Sequence, residues 1–227
     1  EALKANTTGA ANVAIGHKAL LSNTTASSNT ACGKDALRSN TTGTRNTAVS
    51  AYALDANTTG DSNDALGYNA LTTNTTGEKN TALGDSSLAL NTTGSNNIGI
   101  GFSALNANTT GTQNVVIGAS ASDASTTASY NVAIGYKALT DCTTGGINVA
   151  IGREAMENLT TGAKNVGIGR SALAALTTGE ENTAIGDSVA VSCTTGSTNT
   201  AVGMQAMKST TTASSLVVVG REALYSN

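Results

Sequence analysis

A pair of threonines recurs every 17 residues along this chain, at Thr7, Thr24, Thr41 and onward to Thr211, with no insertion or deletion. Thirteen copies at one period place each unit beside a near-copy of itself, the signature of stacked coils and not of a globule. With the residue before each pair as position 1, residues 6–226 make thirteen complete units; residues 1–5 end a preceding unit and Asn227 opens another. The terminal units carry no polar cap. The expectation is therefore one repeat array over residues 1–227, a segment of a longer fibrous protein.

Composition supports this. Six aromatic residues in 227, with no Pro and no Trp, cannot fill a globular core. Charged residues are only 12% of the chain, too few for a coiled coil or helical bundle. A net charge of −3 without a basic stripe argues against a nucleic-acid partner. Apolar runs fall far short of the ~20 residues of a membrane helix, so no membrane insertion is expected in this segment. The first residues also lack a secretion signal's charged and apolar regions. Three cysteines do not make a disulfide framework.

The unit reads Asn-Thr-Thr-Gly-x-x-Asn-Val/Thr-Ala-Ile-Gly-x-x-Ala-Leu-x-x. Positions 7–11 alternate polar, β-branched, small, aliphatic and glycine, the period of a short strand. The aliphatic position 10 (Ile15, Cys32, Val49, Ile134) is expected to face inward with the Leu of position 15. On that reading Cys32 replaces a core aliphatic, and Ile134→Asp breaks the stack by burying a charge. Positions 12–16 are expected to form a second short strand or a helical turn, and the Asn-Thr-Thr-Gly segment a turn. Asn above Asn and Thr above Thr predict side-chain ladders along the stacking axis. The fold class that follows is all-β, a parallel β-solenoid (β-roll or β-helix) of about thirteen 17-residue coils.

The segments Asn131-Val-Ala-Ile-Gly135-Tyr-Lys-Ala138-Leu139 and Asn148-Val-Ala-Ile-Gly152-Arg-Glu-Ala155 resemble the head repeats of YadA-type trimeric autotransporter adhesins. The full unit with Asn-Thr-Thr-Gly also resembles phage-type tail-fibre repeats. The likeness covers the whole chain and carries no catalytic residues. It implies a left-handed parallel β-roll that trimerises side by side, at a cell or virion surface. The 17-residue period is longer than the 14 to 16 residues of the adhesin heads, which implies a longer turn. Residue chemistry alone gives the small position 9 two equal readings: a strip packed within the chain, or one buried between subunits.

Variable residues gather at positions 5, 6, 12, 13 and 16. All six aromatics lie outside the expected core, among them Tyr52, Tyr68, Phe102 and Tyr136, with Arg153 and Arg170 in the same turns. These six residues are the candidate surface-binding set, for a host-surface glycan or protein, with solvation of a shaft as the plainer reading. The expected function is structural and adhesive: a stiff segment of an extracellular fibre, partnered with copies of itself as a homotrimer. A self-assembling filament subunit and an ice-binding solenoid, suggested by the threonine ladders, are the alternatives.

No chemistry-bearing set is expected, hence no enzyme, no catalytic residue, no cofactor and no metal. His17 is the sole histidine and has no ligand neighbour at suitable spacing. Gly99-Ile-Gly101-Phe-Ser-Ala104 and Gly167-Ile-Gly169-Arg-Ser-Ala172 match a dinucleotide loop in letters, but fall in register with units that do not. Cys142 and Cys193 share position 1 three coils apart, too far for a disulfide. Asn-Thr-Thr at 6, 23, 40, 57, 74, 91 and 108, and Asn158-Leu-Thr160, match the N-glycosylation sequon. Glycans one strand spacing apart would crowd, so these asparagines read better as turn residues.

Overall fold

The computed structural model describes residues 1–226. The chain divides into two compact units, residues 1–113 and residues 114 onward. In the first, six three-residue strands pair in parallel and in register: β1 (Val13–Ile15), β2 (Thr30–Cys32), β3 (Thr47–Val49), β4 (Asp64–Leu66), β5 (Thr81–Leu83) and β6 (Ile98–Ile100). In the second, β7 (Val115–Ile117), β8 (Val132–Ile134), β9 (Val149–Ile151), β10 (Val166–Ile168), β11 (Thr183–Ile185), β12 (Thr200–Val202) and β13 (Val217–Val219) do the same. Each unit is a β-solenoid with one coil per 17-residue repeat.

The strand phase is opposite to the one expected. Position 9 points inward and position 10 outward: Ala31, Ala48, Ala133 and Ala150 are wholly buried, while Ile15, Leu66, Leu83 and Ile185 are exposed. Cys32, at position 10, is therefore half-buried on the outer face and not in the core. The reason is room. A Cβ added at Gly167 would already lie 3.2 Å from Met156 Cγ and 3.4 Å from the Ala172 carbonyl oxygen. Once position 15 has sent a Leu or Met into the coil, alanine is about what the facing strand can supply. Valine is accepted at this position in two coils, as the buried Val116 and Val218. Where position 15 shrinks to Ala190, the residue before it is the buried Val189.

Positions 12–17 form no second strand; they turn. Left-handed residues make this possible. Positions 6, 13 and 15 hold φ between 47° and 63° in every unit, whatever the side chain, including Tyr52, Leu139 and Ile147. Each such residue flips the peptide, so consecutive N–H groups bond alternately to the coil below and the coil above. Asp35 N–H donates to the His17 carbonyl at 2.8 Å, and Leu37 N–H to the Ala53 carbonyl at 3.0 Å. The turns thus hydrogen-bond along the stack as the strands do, with no need of extended backbone. At position 11 glycine is favoured twice over: Gly135 has φ 134°, and a Cβ there would sit 2.5 Å from the Gly152 carbonyl oxygen; Ser50 is the one other residue type at this position, held at φ 110°.

The deepest layer is polar. Position 7 is a column of asparagines, and in the first unit position 1 is another; Asn23 to Asn97 in these columns are buried. At position 1, Asn57 Nδ2 donates to Asn40 Oδ1 of the preceding coil at 2.9 Å and to the Gly60 carbonyl of its own coil at 3.0 Å. At position 7, Asn46 Nδ2 donates to that same Gly60 carbonyl at 2.8 Å, and Asn46 Oδ1 accepts the backbone N–H of Asn63 at 2.9 Å. Both columns therefore converge on the position 4 carbonyl. The expected asparagine ladder is present, though inside the coil instead of on a turn. The threonine ladder differs in kind: Thr41 Oγ1 donates to the Thr58 backbone carbonyl at 3.0 Å, not to a hydroxyl.

This geometry reverses one mutational expectation. In the separate chain, at concentrations too low for assembly, Ile134→Asp should cost only about 1 kcal/mol, because the side chain faces outward and Asp64 already occupies an outward strand position. Ala133→Asp, one residue earlier, should cost about 3 kcal/mol or more through a buried unpaired charge. Thermal melts of the two variants decide between the phases. A second expectation concerns Ile147, a β-branched residue at φ 62° where the equivalent position in an earlier unit is Asn96 at φ 60°. The left-handed conformation costs such a residue roughly 1–2 kcal/mol. Ile147→Asn should raise the melting temperature, and a lowered one would rule the strain out.

Candidate interaction surfaces

Two outward surfaces remain once the coil interior is accounted for. The first is the strand face, formed by positions 8 and 10. In the second unit it carries Val115 and Ile117, Val132 and Ile134, Val149 and Ile151, then Val166 and Ile168, strand after strand. Their neighbours within the ladder leave them half-buried or exposed, with Ile117 and Ile185 among the exposed. In the first unit the same face is more polar, with Thr30, Thr47, Asp64 and Thr81 at position 8. The small strip at position 9 is packed within the chain, so it does not supply this surface.

The second surface is the turn at positions 12 and 13. The six candidate residues fall into two groups: Tyr52, Tyr68 and Phe102 belong to the first unit, while Tyr136, Arg153 and Arg170 occupy position 12 of three successive coils in the second. Tyr52 and Tyr68 meet edge to face, with ring centroids 5.8 Å apart and planes at 86°. Lys34 joins them: its Nζ donates to the Tyr52 hydroxyl at 2.7 Å and lies 5.1 Å from the ring centroid. That hydroxyl contact raises the Lys34 ammonium above its ordinary value. Phe102, 59% exposed, stands two coils further along the Tyr68 column, with Asp85 between them. Tyr136 is 49% exposed, with Lys137 Nζ 5.8 Å from its ring centroid.

The arginines are partly committed. Arg153 pairs with its neighbour Glu154 at 2.8 Å. Arg170 grips Asp187 of the next coil through Nε at 2.8 Å and Nη2 at 3.0 Å. This two-pronged contact raises the Arg170 guanidinium and holds the Asp187 carboxyl below the usual range. Lys164–Glu181 and Arg38–Asp55 repeat the device, opposite charges one coil apart in one column. Being exposed, the Arg170–Asp187 and Lys164–Glu181 pairs add little stability; Asp55 is half-buried, and burial holds its carboxyl above the usual range. The pairs set which charges face solvent unneutralised. Lys34 and the Tyr52–Tyr68 pair are the grouping that sequence reasoning did not foresee; stacking positions 12 and 13 at the 17-residue period would have shown it.

Several other candidates resolve. The Gly99 and Gly167 motifs lie on β6 and β10 and run into turns, without the helix a dinucleotide loop needs. Among the described residues no three His, Cys, Asp or Glu side chains gather as a metal site, and no helix is long and apolar enough to cross a membrane. The sequon asparagines from Asn23 to Asn91 are buried with both amide hydrogens donated, Asn74 to Asn57 Oδ1 and the Gly77 carbonyl for example. A glycan on them is incompatible with this fold; Asn158, at position 17, is exposed. In the pairs from Thr24 to Thr194 only the second threonine is fully outward, as Thr42 and Thr59 are. Comparison with protein-family models, curated proteins and solved structures finds no match to this chain.

The three cysteines are free thiols in unlike settings. Cys142 takes the place of a ladder asparagine, with Sγ 3.2 Å from the Gly145 carbonyl oxygen, and burial pushes its pKa up to about 11. Burial raises Cys193 as well. At pH 8 a disulfide-exchange reagent should therefore titrate one thiol quickly in the native protein, Cys32, and all three in denaturant. Three fast native thiols would contradict the buried ladder.

Proposed function

We propose that this chain is a structural and adhesive segment of an extracellular fibre, at a cell or virion surface, that packs side by side with copies of itself and presents its turns for attachment. The observation that carries the reading is the outward strand face of the second unit. Consecutive Val–Ile pairs point away from the coil and are left for another surface to cover. The interior needs none of them, since Ala, Leu, Gly and Asn fill it. Their aliphatic character has no use in holding the coil together and a direct one in burying area between chains. A homotrimer, as the adhesin-head resemblance implies, closes such a face around an axis without leaving a copy over.

Sedimentation equilibrium tests the assembly. The wild-type chain of 22.4 kDa should run at about three times that mass. A variant carrying Val149→Asp and Ile151→Asp should run at the single-chain mass with its circular dichroism unchanged. A wild type that stays a single chain throughout the micromolar range defeats the reading.

A further inference from the structure

We infer that the position 12 column of the first unit is a binding track for an extended β-1,4-linked glycan, with Tyr68 and Phe102 as its two stacking platforms. This rests on the reading of the turns as the attachment surface and assigns that surface a ligand class. Tyr68 is 48% exposed and Phe102 59%. They occupy the same position two coils apart, ~10 Å at the spacing of parallel strands. That is close to the length of one disaccharide in a flat, extended β-1,4-linked chain, in which every second sugar presents the same face. The axial C–H groups of a pyranose are weakly positive and settle on the negative face of an aromatic ring.

What lies around the platforms favours a sugar over an apolar partner. An apolar partner would be met by a continuous apolar strip, whereas Asp85 stands between the two rings in the column. Asn69, Ser86 and Ser103 flank it at position 13. Amide, hydroxyl and carboxylate groups beside isolated aromatic faces suit a ligand that alternates C–H faces with hydroxyl edges. Asp85 is itself oriented: its Oδ1 accepts a hydrogen bond from Ser86 Oγ at 2.7 Å. Tyr68 is steadied by the edge-to-face contact with Tyr52, whose hydroxyl is held by Lys34. Less ordering is then required when a ligand docks. The in-register stacking of β4, β5 and β6 fixes the spacing between platforms.

Isothermal titration of the whole chain with cellohexaose and with chitohexaose tests the track and separates a hydroxyl from an acetamido ligand. At least one should bind. Tyr68→Ala and Phe102→Ala should each weaken it by at least about tenfold, as loss of one of two linked contacts requires. The corresponding disaccharide, long enough for one platform, should show a similar loss. Tyr130→Ala, in a turn of the second unit, should leave affinity unchanged. Maltohexaose, whose α-linkage curls the chain, should bind more weakly than the better β-linked hexasaccharide. The inference is overturned if neither β-linked hexasaccharide binds, if the two alanine variants bind like wild type, or if maltohexaose binds equally well. Light scattering on the same samples reports assembly, so glycan silence from an assembled protein fails this inference and not the fibre reading.

Discussion

The carbonyl at position 4 is the point on which each coil of the first unit hangs. Two buried amides, one from its own coil and one from the coil before, donate to the same oxygen, as Asn57 and Asn46 do to Gly60. A buried Asn amide left unsatisfied is costly, so the arrangement must be complete or it is destabilising. Completeness depends on period. Only if every coil has the same length does the next Asn arrive where the previous one needs its partner. A one-residue insertion would misplace both columns at once. The strict 17-residue spacing is the covalent record of that requirement.

The second unit shows what the ladder can be exchanged for. There position 1 runs Ser125, Cys142, Leu159, Leu176, Cys193 and Thr210, while position 7 keeps its asparagines as far as Asn199. Leu159 and Leu176 are adjacent in the stack and fully buried. Replacing neighbouring donors and acceptors together by apolar groups of similar size can be nearly neutral, where replacing one alone is not. The position 4 carbonyl still has a donor, since Asn148 Nδ2 reaches the Gly162 carbonyl at 3.0 Å. Elsewhere in the position 1 column Ser125 Oγ and Thr210 Oγ1 are buried without a partner, so the exchange is clean only where Leu159 and Leu176 turn apolar together.

Much of this was legible in the sequence because stacking converts spacing into contact. The period, the parallel strands, the asparagine ladder and the inward leucine follow from asking each residue to fit its own copy. The strand phase did not, and the failure is instructive. A three-residue strand offers two phases, and placing the larger residue inside is sound where a core has room. Here the coil is so narrow that Leu139 and the amide of Asn131 fill it, leaving the facing strand only Ala133. Steric accounting across the coil, from the long side chain of position 15 to the small residue of position 9, carries the right answer. The left-handed turns were hidden for a different reason. Nothing in Ile147 or Leu139 advertises positive φ, because tertiary hydrogen bonding and not local preference imposes it.

Turning the strand over also changes what the variable residues mean. With position 10 inside, the aliphatics would be structural, and only the small position 9 strip and the turns could meet another molecule. With it outside, the fixed interior needs one leucine and a set of small or amide side chains, and the Val–Ile pairs become a surface with a demand of its own. The scarcity of aromatics follows from the same narrowness. A coil whose facing strand has room for alanine, or at most valine, has none for a ring, so each aromatic stands on a turn, where it interrupts nothing. Placement on turns costs the fold little and leaves composition there free to vary from coil to coil. A scaffold that fixes spacing along the stack while leaving the turn side chains unconstrained can set recognition groups at multiples of one coil rise, and Tyr68 and Phe102 are set at two.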